Sequence, residues 1–125
     1  MTLTALVVDD DPSGQRAIAR GLRGYDVVAV GSAEAALAWV ERHGAPAVAV
    51  VDVTLPRMSG FELASVLKDA CRVLVAGARP GMELFDEARA LELDVALVDK
   101  HAVASVLAPA APRRTMWSKL AAAFA

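Results

Sequence analysis

The chain is poor in several things, and each shortage excludes something. A single cysteine, Cys71, stands in 125 residues, which rules out an internal disulfide framework and agrees with a reducing, cytoplasmic setting. No apolar run is long enough to cross a bilayer, and no charged-then-apolar leader follows Met1, so no membrane association is expected. A formal net charge of −2 provides no overall basicity for direct nucleic-acid binding. There are no internal repeats and no low-complexity tract. The glycine-rich phosphate loop of a dinucleotide-binding enzyme is missing, because Asp9-Asp10-Asp11-Pro12 occupies its place. Lysine is scarce as well: of 13 basic residues only Lys68, Lys100 and Lys119 are lysines.

What is present reads as a compact core. The composition is 56% hydrophobic and 22% charged, and the length fits one domain, expected over 1–125. The unbroken apolar run 47–51 predicts a strand buried on both faces, with Asp52 at its carboxyl end. Further strands are expected at 3–8, 26–30, 72–75 and 95–98. Asp11 followed by Pro12 marks a helix start that ends by Gly21 or Gly24. Ser32 caps a second helix, with a stop at Gly44. Helices over 60–70 and 82–91 follow, and a last helix is expected over 112–125, after Pro109 and Pro112. Five strands alternating with helices predict a doubly wound parallel α/β sheet with helices on both faces.

Ligands in such sheets bind beyond the carboxyl ends of the strands. The first, third and fifth strands are expected to bring Asp9 and Asp10, Asp52, and Lys100 side by side there. Crowded carboxylates repel unless a cation neutralises them. A hard divalent ion such as Mg²⁺ takes carboxylates, water and a phosphate oxygen. An ammonium opposite that ion would complete a phosphoryl site, with Asp52 as a nucleophile able to form an aspartyl phosphate.

In order along the chain, LVVDDDP, VVDVTLPRMSG and Lys100 resemble a response-regulator receiver domain of two-component signalling. Asp10 and Asp52 stand 42 positions apart, an ordinary interval for that family. The resemblance implies a flavodoxin-like sheet of order 2-1-3-4-5 and phosphorylation on Asp52. It implies Mg²⁺ held by Asp9, Asp10, Asp52 and the backbone carbonyl of Thr54, and a phosphoryl group held by Lys100 and the backbone of Gly77. It implies a histidine kinase or phosphotransfer protein as donor, output through a downstream protein, and homodimerisation as a further option. Such a domain is not an enzyme beyond slow self-phosphorylation and autodephosphorylation.

The departures from the family pattern fall on the half that conveys the signal. Ala76 stands where a Ser or Thr hydroxyl is usual, Leu97 where an aromatic side chain is usual, and His101 where a proline usually follows the lysine. Output would then depend on another element, such as the 78–81 loop. A phosphorylation-independent pseudo-receiver that serves only as a protein-binding module is therefore the alternative. A haloacid-dehalogenase-type phosphatase needs a second Asp two residues after the nucleophile, where Thr54 stands. Other readings are plainer. Asp11 is expected only to cap a helix, His43 and His101 to be inert, and Cys71 to be a small core residue. Arg113-Arg114 is too short for a nucleic-acid patch. The stripe Trp117, Leu120, Ala121 and Phe124 is expected to pack as core.

Overall fold

The computed structural model describes residues 2–77 and 84–107. The expected helix over 112–125, with its apolar stripe, and the 78–81 loop lie outside them. In chain order the elements are β1 (Leu3–Val8), α1 (Pro12–Arg20), β2 (Tyr25–Val30), α2 (Ala33–His43), β3 (Val48–Asp52), α3 (Gly60–Leu67), β4 (Arg72–Gly77), α4 (Leu84–Leu93), β5 (Ala96–Asp99) and α5 (Val103–Leu107). The strands form one sheet in the order β2-β1-β3-β4-β5, parallel at every pairing.

Alternation along the strands divides the core in two, since successive side chains leave a sheet on opposite faces. Leu6, Val8, Ala49, Val51, Val73 and Val75 join Ala33, Ala36, Leu63, Ala64, Leu67 and Ala90 in the layer under α2, α3 and α4. Ala5, Val7, Val48, Val50, Leu74, Ala76 and Val98 join Ile18, Val103 and Leu107 under α1 and α5. All five residues of β3 are buried, as a central strand covered on both faces requires. Leu6, Ile18, Leu63 and Leu74 are among the core's largest fully buried side chains. Truncating any of them to Ala costs about 2–5 kcal/mol.

The helix starts follow local chemistry. Asp11 caps α1 by accepting from the Ser13 amide, with Pro12 in the first turn. Ser32 and Ser59 cap α2 and α3 in the same way. Gly60 is required by packing: a Cβ there would run into the backbone carbonyl of Asp52. Its N–H donates to the Val53 carbonyl at 3.1 Å, which seats the start of α3 against the end of β3.

Several expectations are corrected. β4 runs on through Ala76 and Gly77, both buried, rather than ending at Val75. The β3 ladder reaches Ala76, and pairing with Asp99 of β5 holds even Gly77 extended. α3 stops at Leu67 and α4 continues to Leu93. A short helix, α5, follows β5 directly, with Val103 and Leu107 buried. The third and fifth strands are not neighbours, because β4 lies between them.

Candidate functional site

The carboxyl ends of β1 and β3 are adjacent, with Val8 and Val51 paired in register. Asp9, just past the end of β1, and Asp52, the last residue of β3, are therefore delivered side by side. Both are buried, Asp9 fully and Asp52 to 6% exposure. Asp10 is exposed. One oxygen from each of these three carboxylates falls within a 4.8 Å cluster.

Lys100 comes from the far side of β4. Two strand spacings, about 9–10 Å, separate β3 from β5, and the lysine stem crosses above β4 where Ala76 and Gly77 are too small to obstruct it. Its backbone N–H donates to the Gly77 carbonyl at 3.0 Å. Its ammonium lies 2.9 Å from Asp9 Oδ2 and 3.2 Å from Asp52 Oδ1. Asp9 Oδ1 accepts from the Asp11 N–H at 2.9 Å. Asp9 Oδ2 has no aligned hydrogen bond, so its attraction to the ammonium is ionic. Gly14 makes room for the pair: a Cβ there would collide with Asp9 Oδ2 and stand 2.9 Å from Lys100 Nζ.

The electrostatics follow from this crowding. Burial pushes the Asp52 carboxyl above its ordinary value, and the neighbouring Asp9 adds to the rise, while Lys100 and the Thr54 backbone N–H pull against it. Burial disfavours the charge on Lys100, yet Asp9 and Asp52 outweigh it and hold the ammonium above its usual range. Three carboxylates against one ammonium leave the pocket short of positive charge. Opposite oxygens around Mg²⁺ lie about 4.2 Å apart, close to the spread of the carboxylate cluster. With an imperfectly partnered buried oxygen at Asp9, the residues fit a small divalent ion.

Other singled-out residues take simpler places. Thr54 is exposed, two residues beyond Asp52. Leu97 is half-buried against the layer under α2, α3 and α4. Asp11 caps α1, and Ser13 lowers its carboxyl by accepted hydrogen bonds. His101 is exposed, its N–H donating to Asp99. His43 stacks on Trp39, with Nδ1 3.1 Å from the Trp39 carbonyl. Cys71 is half-buried, and burial pushes its thiol up. Gln15 reaches the site without any signal in the sequence: its side-chain amide donates to the Asp9 and Val30 carbonyls. A polar residue on a helix carries no mark of the partner that tertiary packing will supply.

An open parallel sheet of this order, with acids and one ammonium gathered at its switch point, defines a flavodoxin-like domain with a charged ligand pocket. The chain belongs to the response regulator receiver domain family, whose sequence profile matches residues 5–98. It is 38% identical over 68 residues to the heme response regulator HssR of Staphylococcus saprophyticus, a match covering 53% of this chain and 30% of that protein. The chain thus spans less than a third of that relative's length. Among solved structures it resembles the signal receiver domain assigned to the response regulator NarL of Mycobacterium tuberculosis, with a TM-score of 0.71 and 26% identity over 87% of this chain and 96% of that one. It also resembles a response regulator from Burkholderia pseudomallei, solved with a phosphorylated aspartic acid, a calcium ion and citrate. That TM-score is 0.70 and the identity 28%, over 85% of this chain and 65% of that one. Receiver domains of two-component systems act in signalling rather than as enzymes, and they bind Mg²⁺ through acidic residues. Among the described residues, no helix is long and apolar enough to cross a membrane.

Proposed function

We propose that this chain is a phosphoacceptor receiver that takes a phosphoryl group on Asp52 from the phosphohistidine of a histidine kinase or phosphotransfer protein. The carrying observation is that Asp9, Asp52 and the Lys100 ammonium meet within 3.2 Å contacts at adjoining strand ends. A carboxylate oxygen of Asp52 attacks phosphorus, forming an O–P bond as the P–N bond breaks. The electron pair returns to the donor imidazole, which takes up a proton. Lys100 offsets the charge on the phosphoryl oxygens, and the Gly77 backbone lies on the same side. Asp9, Asp10, Asp52 and the Thr54 carbonyl would hold Mg²⁺, which when bound supplies further positive charge to the phosphoryl group. Residues 1–125 act here as one receiver unit whose output is a protein–protein contact in the cytoplasm. Neither nucleic acid nor membrane is a direct partner, and homodimerisation is one route to output.

A second reading, a pseudo-receiver that binds proteins without being phosphorylated, rests on Ala76, in register beside Asp52 and with no hydroxyl to hold an incoming phosphoryl oxygen. The two readings separate on intact mass after incubation with Mg²⁺ and a small acyl-phosphate donor. A single phosphate adduct that disappears in Asp52→Ala supports the phosphoacceptor. An unmodified mass under conditions that load other receivers supports the pseudo-receiver.

A further inference from the structure

Gln15 sits in the second turn of α1, half-buried, and the proposed chemistry makes no use of it. Its amide nitrogen lies 2.8 Å from the Asp9 carbonyl and 3.3 Å from the Val30 carbonyl. Both partners are carbonyl oxygens, which only accept, so the amide must turn its NH₂ end inward. The Asp9 N–H donates to the same Val30 carbonyl at 3.1 Å. The two peptide units flanking the Asp9 Cα are thus fixed from outside, one by β2 and the other by Gln15. The second of these joins Asp9 to Asp10, and its rotation would swing one carboxylate relative to the other.

We propose that Gln15 is a positioning residue: it clamps the Asp9–Asp10 peptide to the end of β2 so that both carboxylates address one divalent cation. The inference rests on the reading of those two acids as cation ligands. A neutral donor suits the place. A carboxylate there would face two carbonyl oxygens, and an apolar side chain would leave the Asp9 carbonyl without this bond.

The test uses the whole chain, with Gln15→Met, which keeps the length and removes the donors, and Gln15→Arg, which keeps donors. Mg²⁺ affinity is measured by titration calorimetry, and exchange of the Asp9 and Asp11 amides is followed by NMR in metal-free protein. Losing about one neutral hydrogen bond weakens Mg²⁺ binding by roughly 3–10-fold in Gln15→Met. The two amides should exchange faster by a similar factor, and Gln15→Arg should recover most of both losses. Equal affinities in Gln15→Met and the parent overturn the proposal. So do equal losses in the Met and Arg variants, because a packing role does not distinguish donors. A parent chain that binds no Mg²⁺ removes the phosphoacceptor reading and this inference together, whereas a binding parent with an indifferent Gln15→Met removes this inference alone.

Discussion

Across one rung of the sheet stand two unlike residues, Asp52 at the end of β3 and Ala76 beside it on β4. On the β1–β3 side the acids are brought together and held: Asp9 by the Asp11 amide, its peptide by Gln15, the end of β3 by the close approach of Gly60, with Asp10 exposed beside them. On the β4–β5 side stand Ala76 and Gly77, with Lys100 reaching in from beyond β5, while Leu97 packs in the layer under α2, α3 and α4. Under the proposed reading, loading a site and reporting that it is loaded are separable demands. The groups for the first are present in that reading, whereas Ala76 and Leu97 stand where it expects a hydroxyl and an aromatic ring for the second.

The sharpest way to break the loading half is Lys100→Met. Removing a preorganised charge at a developing anion costs on the order of 10²–10³ in rate, read as the time course of phosphate adduct formation by intact mass. An unchanged rate would remove Lys100 from the chemistry. Next in size is Gly60→Ala. The added methyl meets the Asp52 carbonyl, and overpacking of this kind costs about 1–3 kcal/mol, measured by chemical denaturation. The reporting half is sharpened by Ala76→Ser. A hydroxyl there gives the charged phosphoryl oxygens a donor worth about 1.5 kcal/mol, so a beryllofluoride mimic should bind roughly tenfold more tightly. Equal affinity would mean that Ala76 does not face the bound group.

The smallest effect concerns charge. Asp52 is raised first by burial and then by Asp9, so the folded metal-free chain holds a proton there more tightly than the unfolded chain does, and is stabilised by it. That contribution is fully present below the ordinary carboxylate value of 3.8 and is lost as pH rises through the higher folded value. Asp52→Asn should therefore stabilise the metal-free chain at pH 7 by on the order of 1 kcal/mol, a few degrees in Tm. The gain should shrink to nothing in acid, and a Tm difference that ignores pH would contradict it.

Much of this is legible in the sequence. Strand alternation, the Asp11-Pro12 and Ser32 caps, and the wholly apolar β3 have local causes, and local causes can be read from residue types. The convergence of Asp9, Asp10, Asp52 and Lys100 was legible too, because strand order fixes which ends meet. What escaped depends on tertiary partners. Gly77 reads as loop until pairing with Asp99 of β5 holds it in the ladder. Lys100 reads as a neighbour of β3, whereas it reaches across β4 above two small residues. Gln15 and Gly14 have no pattern of their own, since one acts through carbonyls 6 and 15 positions away and the other by having no side chain. The short helix α5 escaped because Pro109 and Pro112 drew the expected helix further along the chain.

The most direct trial of the account is ¹⁹F NMR of the chain with beryllofluoride, titrated with Mg²⁺. A bound fluoride signal that grows with Mg²⁺ and is absent in Asp52→Ala is the expected result. Fluoride that remains free at every Mg²⁺ concentration would show that these strand-end carboxylates and the ammonium do not cooperate in holding a phosphoryl group.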